Sequence, residues 1–358
     1  MRRVRVGLII GQLTVGGAEG QLWELVRHLD RHFEPIVYCL VGGGVAPTQH
    51  DLEGAGVSVR VVAQRGLGRA RRLAQLLQAD GVDVVHAWLF IANSYALGAR
   101  VYGARQPLIT SARNCKVQGR LSQLMNIAAF RASRAIVVNS HDVATYIGRQ
   151  YWAPPARIHV IHNGVDTERF HPAVALPADA TIVTVGRMVR QKNHEMFLRA
   201  AAALGREQPQ VRFVIVGDGP LRGSLETLAR QLGLFERVRF VGERRDVETI
   251  LRGATLFWLT SHWEGMPNVV LEAMASGLPV IATDVGGTRE LIRSGIEGFI
   301  VSDGDAEAFV KHSRALLTDD GQRARCSTAA RQRAATFSTS RMATALGALY
   351  DAVFNRGQ

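Results

Sequence analysis

Twice along this chain, short apolar runs alternate with stretches of helical periodicity, and this doubled alternation constrains the fold more than any other feature. VRVGLII (4–10), PIVYCLV (35–41), VSVRVVA (57–63), VDVVHAW (82–88), PLITSA (107–112) and AIVVNS (135–140) read as strands. Between them, 18–30 and 69–80 carry amphipathic helical spacing. The rhythm breaks over 157–180, where an Asn163-Gly164 turn and two prolines, Pro172 and Pro177, mark a linker. It restarts with TIVTVGR (181–187), VRFVIVGDG (211–219), RVRFVGE (237–243), TLFWLTS (255–261), LPVIATD (278–284) and GFIVSD (298–303). Alternation of this kind specifies parallel sheets wrapped by helices. The expected architecture is α/β, two doubly wound Rossmann-like domains: residues 1–170, a linker at 171–180, and residues 181–337. The last helical stretch, 338–358, is expected to pack back on the first domain. A cleft between two such domains, at the carboxyl ends of the strands, is the expected ligand site.

The 358 residues suit two domains of ordinary size. No apolar run is long enough to span a bilayer, and the opening MRRVRVGLIIG reads as a first strand, not a signal peptide. Three widely spaced cysteines fit a reducing cytosol rather than a disulfide framework. The formal charge of +12 is uneven: residues 1–170 hold 20 Lys+Arg against 11 Asp+Glu, the remainder 23 against 20. Such asymmetry directs the first half toward an anionic partner. No nucleic-acid-binding module is recognisable. Arg69, Arg71 and Arg72 open one amphipathic helix. The basic stretch 115–134 interleaves Leu121, Leu124, Met125, Ile127 and Phe130 with cations, a pattern that suits an anionic membrane surface or an ordinary core face with an arginine-rich outside.

WEGMPNVVLEAMASG (263–277) carries two carboxylates, Glu264 and Glu272, in a largely apolar segment. Pro267 suits a helix start and Gly277 with Pro279 a stop, so Glu264 precedes the helix and Glu272 lies inside it. The amides of Asn268 to Val270 form a positive end fit for a phosphate. The two carboxylates are then either solvated helix positions or the two ends of one ligand's site. VGRMVRQKNHEMFL (185–198) puts Arg187 and Lys192 at the end of a strand, either surface charge or a diphosphate clamp. Lysine occurs only at Lys116, Lys192 and Lys311, so its use at 192 stands out from an arginine-dominated surface. Gly16 and Gly17 in TVGGAEG serve either a phosphate loop or a tight strand–helix turn. Asp303-Gly304-Asp305 has the form of a metal–nucleotide pair but sits where a helix needs an N-cap. No His/Cys cluster has ligand spacing, and no tightly bound metal is expected.

Taken together, GGAE (16–19), DVVHAW (83–88), VVNS (137–140), IHNGVD (161–166), GR…QKN (186–193), GDGPLR (217–222) and EGMPNVVLEAMASGLPVIAT (264–283) resemble the retaining, GT-B-fold glycosyltransferases of family 4. The resemblance covers most of the chain, and the Glu-x7-Glu segment with the upstream Arg and Lys is its most specific part. It implies a nucleotide-sugar donor (a UDP- or GDP-sugar), no cofactor and no essential metal, with metal-independent, retaining transfer. The acceptor it implies is a saccharide, free or lipid-linked, in cell-envelope or exopolysaccharide synthesis. By the same resemblance Arg187 and Lys192 are the diphosphate clamp, Glu264 the ligand of the transferred sugar's hydroxyls and Glu272 the ribose ligand. Met266, Asn268 and Val269 supply contacts through their backbone, Gly16 and Gly17 close on the phosphates, and Arg244 and Val247 lie where relatives hold the base. Where many relatives carry a histidine, LITSARNCKV (108–117) has Ser111, Arg113 and Asn114, which makes Arg113, Asn114 and the neighbouring His86 the acceptor-side candidates. The expected location is cytoplasmic, peripheral at the inner face of the plasma membrane. A catalytically inactive scaffold partner of another transferase and a nucleotide-sugar epimerase on the same fold are the alternatives.

Overall fold

The structure, a computed structural model, describes residues 3–14, 16–41, 47–115, 119–174 and 179–356. They form two units, residues 1–164 with 339–358, and residues 165–338.

In the first unit, seven strands, β1 (Val4–Ile10), β2 (Phe33–Cys39), β3 (Ser58–Val61), β4 (Val84–Ala87), β5 (Leu108–Ala112), β6 (Ala135–Val138) and β7 (Ile158–Val160), form one parallel sheet. Its order is β3-β2-β1-β4-β5-β6-β7. β1 pairs β2 on one edge and β4 on the other, so the strand order reverses there. The central strands are buried on both faces and read as unbroken apolar runs for that reason. The C-terminal helix Thr339–Asn355 buries Met342, Leu346, Tyr350 and Val353 in one cluster with Leu22, Leu25 and Phe33 of this unit.

The second unit holds β8 (Thr181–Val185), β9 (Arg212–Val216), β10 (Val238–Phe240), β11 (Leu256–Leu259), β12 (Val280–Thr283) and β13 (Gly298–Val301). All are parallel, in the order β10-β9-β8-β11-β12-β13, with the reversal between β8 and β11. Phe197, Phe213, Trp258 and Phe309 pack largely edge to face in its core, where Trp258 Nε1 donates to Ser313 Oγ at 2.9 Å. Removing four such rings from water contributes several kcal/mol and fixes the helices on that face of the sheet.

Two sequence expectations need correction. The passage between units lies at Gly164–Val165, not at 171–180, because Val165 and Phe170 are buried in the second unit's core and Val165 N–H donates to Phe337 O at 2.8 Å. Part of the expected linker, residues 175–178 with Pro177, lies outside the described residues. The stretch from 157 also contains β7, a three-residue edge strand on β6 too short to show an alternating pattern.

Candidate functional site

The reversal between β8 and β11 determines which chain ends meet in the second unit. β8 delivers Gly186 and Arg187, followed by a single turn of 3-10 helix, Arg190–Lys192. Asn193 then takes a left-handed conformation (φ 47°) and caps the helix His194–Glu207, its side chain accepting from Met196 N–H. β11 delivers Thr260, Ser261, His262 and Glu264. The two segments are tied together: His262 N–H donates to Gln191 O at 2.8 Å, Thr260 Oγ1 to Lys192 O at 3.1 Å, and Gln191 Nε2 to Trp263 O at 2.9 Å.

Across this junction Lys192 Nζ reaches Glu264 Oε1 at 2.7 Å, and Ser261 Oγ donates to the same oxygen at 2.7 Å. The pair is mostly shielded, with 19% of the lysine side chain and 8% of the glutamate exposed. Glu264 Oε2 has only a 3.4 Å contact from Gln191 Nε2 and keeps lone-pair capacity for a hydroxyl. The Lys192 stem lies over Gly186, where an added Cβ would stand 3.1 Å from its Cδ. Arg187 is exposed and forms no ion pair among the described residues. One cation is thus committed to a carboxylate and a second is open to a ligand.

Glycines shape the backbone here. At Gly217 (φ +125°) a Cβ would lie 2.2 Å from Gly186 O, and at Gly286 (φ +51°) one would lie 2.3 Å from Glu264 O. His194 is buried and its Nε2 bonds Gly186 O at 3.2 Å; burial, against that hydrogen bond, brings its pKa down to about 4. Gln191, Ser261 and His194 were not among the residues singled out in the sequence. Only their adjacency to Lys192 and Glu264 signalled them.

Pro267 caps the helix Asn268–Ala275, so Glu264 precedes it and Glu272, partly buried, lies within it. Met266 is buried, while Asn268 and Val269 are partly exposed at the helix start. Arg244 forks onto Asp246 with both bonds at 2.8 Å, and Val247 opens the helix Val247–Arg252 at the margin of the core. Asp305 caps the helix Ala306–Thr318 through Ala308 N–H at 2.9 Å, and Asp303 bonds His262 Nδ1 at 2.8 Å. The Asp-Gly-Asp segment is therefore occupied with capping and with that histidine.

In the first unit, Gly16 caps the helix Gly17–His28. A Cβ at Gly16 would stand 2.4 Å from Glu19 Oε2, so the missing side chain makes room for a glutamate three residues on. His86 is fully buried, its Nδ1 2.8 Å from Tyr350 Oη and its Nε2 2.6 Å from Ser111 Oγ. Burial, with the nearby Arg113 cation, holds its pKa well below the usual 6.5. With both ring nitrogens occupied, His86 joins the C-terminal helix to the sheet and has no nitrogen left for an acceptor. Arg113 is also buried. Its guanidinium lies 3.9 Å over the Trp88 ring and donates through Nη1 to Asn163 Oδ1 at 2.9 Å, and burial lowers its pKa to about 10. Asn114 follows it, partly exposed.

Two parallel doubly wound units, one bearing cations and a carboxylate at its topological switch point, define a GT-B protein. The family model for glycosyl transferases group 1 matches residues 166–333, and that for glycosyltransferase family 4 matches residues 15–169. The lipopolysaccharide core biosynthesis glycosyltransferase LpsE of Rhizobium meliloti (strain 1021) is 30% identical over 325 residues, covering 87% of this chain and 88% of that protein. The chain belongs to this glycosyltransferase family. It is 34% identical over 207 residues to the UDP-Gal:alpha-D-GlcNAc-diphosphoundecaprenol alpha-1,3-galactosyltransferase of Escherichia coli, a match covering 54% of this chain and 53% of that one. With the Vi polysaccharide biosynthesis protein VipC/TviE of Salmonella typhi it shares 37% over 178 residues, 46% of this chain and 31% of the relative. The match thus spans about half or less of the length of these last two relatives. In fold, Anabaena HepE in complex with UDP-glucose superposes with a TM-score of 0.86 at 21% identity, covering 98% of this chain and 100% of that one.

Proposed function

We propose that this protein transfers a sugar from a UDP-sugar to a lipid-linked saccharide acceptor, with retention at the anomeric carbon. The observation that carries the reading is the Lys192–Glu264 pair at the β8/β11 switch point with Arg187 open beside the same strand end. A nucleotide sugar needs cations for its diphosphate and a hydrogen-bond acceptor for its sugar hydroxyls, and this junction offers both. Two relatives support a UDP donor, a UDP-Gal transferase and a protein crystallised with UDP-glucose. The lipid-linked acceptor rests on the same galactosyltransferase, whose name specifies a diphosphoundecaprenol acceptor.

As the bond between the anomeric carbon and the phosphate oxygen breaks, negative charge accumulates on the leaving diphosphate. Arg187, Lys192 and the helix amides from Asn268 stabilise it. Lys192 has three N–H bonds, so it can keep Glu264 while donating to a phosphate. Glu264 Oε2 accepts from a hydroxyl of the transferred sugar, and Glu272 accepts from the ribose. The acceptor oxygen bonds the same face of the anomeric carbon, and its proton passes to the departing phosphate oxygen. Cationic side chains take the charge-neutralising role here, and Asp303 and Asp305 are engaged elsewhere, so the reading is metal-independent.

A lipid-linked acceptor places the enzyme at a membrane surface. Among the described residues no helix is long and apolar enough to cross one. The helix Arg120–Ala132 buries Ile127 and Phe130 but exposes Leu121, Leu124 and Met125, at 74%, 63% and 37%. Its residues lie in a span, 84–141, with seven lysines and arginines and no acidic residues; of these Lys116 falls outside the described residues. An apolar stripe amid cations suits peripheral contact with anionic lipid.

The test is nucleotide release from UDP-, GDP- and ADP-sugars with membrane extract as acceptor source, for wild type, Lys192→Ala and Glu264→Ala, with and without EDTA. Acceptor-stimulated release from a UDP-sugar, insensitive to EDTA and lost in both variants, is expected. Release from none, with no nucleotide-sugar binding by calorimetry, would overturn the reading in favour of a scaffold protein.

A further inference from the structure

Arg113 is a cation in the interior of the first unit that forms no ion pair with a carboxylate among the described residues. It is 8% exposed, and among the described residues its guanidinium's only hydrogen-bond partner is a neutral amide oxygen, Asn163 Oδ1. Burying an arginine this way is costly unless something compensates the charge. The Trp88 face at 3.9 Å offsets part of that cost. The remainder is visible in the polar atoms left over: among the described residues Arg113 Nε and Trp88 Nε1 are buried donors without a partner. Asn139 Oδ1, an unpartnered acceptor, belongs to the same locus, because Asn139 Nδ2 bonds Arg113 O at 3.4 Å. Native interiors leave few polar atoms unpaired, and three on residues joined by direct contacts call for a missing partner.

Position says what that partner is. Arg113 follows β5, and Trp88 follows β4, its neighbour in the sheet, so both stand at the carboxyl ends of adjacent parallel strands. Ligands bind at this edge of a doubly wound sheet. Two N–H donors, one on a permanently charged group, select an oxyanion, and the amide oxygen of Asn139 selects a hydroxyl beside it.

We propose that Arg113, Trp88 and Asn139 form a subsite for an oxyanion on the acceptor, a phosphate or a uronate carboxylate adjoining a sugar hydroxyl. This rests on the transferase reading above and adds that the acceptor is anionic where it meets the first unit. A ligand oxyanion supplies the negative charge the protein itself withholds.

A structural arginine loses stability when replaced, whereas a site kept for a ligand does not. For the full chain, Arg113→Met is expected to hold or raise the midpoint of thermal unfolding while lowering acceptor kcat/KM about a hundredfold. UDP binding by calorimetry should stay unchanged, which keeps this test distinct from the one for the donor site. Arg113→Lys, charged but without the planar fork, should fall between. Inorganic pyrophosphate and glucuronate, titrated separately, should inhibit competitively against acceptor in wild type and not in Arg113→Met; which of them does so distinguishes a phosphate-bearing from a uronate acceptor. If Arg113→Met unfolds at lower temperature with acceptor KM unchanged, or if neither anion competes, the proposal fails and the arginine is structural.

Discussion

Lys192 Nζ stands 2.7 Å from Glu264 Oε1 although 72 residues separate them. The ends of β8 and β11 bring them together because those strands are neighbours in the sheet. Each group neutralises the other, and in the function proposed above each meets a different part of a nucleotide sugar.

Removing one member leaves the other shielded and unpaired. Lys192→Ala is expected to lower stability by about 2 kcal/mol, less than for a fully buried pair because water reaches the ammonium. Lys192→Ala/Glu264→Gln should recover part of that loss. Urea denaturation of the wild type, both single variants and the double variant reads the coupling directly.

His86 and His194 both titrate below the ordinary histidine range, and burial is the first cause for each. A histidine whose folded pKa is depressed stabilises the fold above its unfolded pKa of 6.5 and loses that contribution as pH falls toward the folded value. For His194, with a folded pKa of about 4, the loss amounts to about 3 kcal/mol in all. The urea midpoint should be flat above pH 7 and fall steadily from 6.5 to 4. His194→Gln should show a shallower fall over that window.

Tyr350 Oη is the partner of His86 Nδ1 and the polar tie between the C-terminal helix and β4. Tyr350→Phe keeps the ring but leaves a buried nitrogen without its partner. A destabilisation of about 1–2 kcal/mol is expected, measured by urea unfolding at pH 7.5.

Gly217→Ala places a Cβ where Gly186 O stands and forces a positive φ on an L-residue. The β8 turn must shift, carrying Arg187 with it. A loss of about 2 kcal/mol or more in stability and at least about tenfold in UDP affinity is expected. Calorimetry at a temperature where the variant stays folded separates the two effects.

The sequence alone determined what is local. Hydrophobic period gave twelve of the thirteen strands, because strands buried on both faces appear as short apolar runs wherever they sit. Pro267 placed the start of the helix Asn268–Ala275, with Glu264 before it and Glu272 inside. Asp305 was legible as an N-cap because capping depends on neighbours three residues away. The tertiary structure alone decided what is distant. Strand order puts β8 beside β11 and so makes a pair of Lys192 and Glu264. Return of the C-terminal helix puts Tyr350 on His86 Nδ1 while Ser111 takes Nε2, so neither nitrogen is left for a ligand, though its sequence context matches that of a strand-end site residue. β7 was missed because a three-residue edge strand leaves no period to read. Local pattern follows from the chain's own covalent geometry, whereas pairing, burial and charge compensation depend on which surfaces meet when the hydrophobic faces leave water.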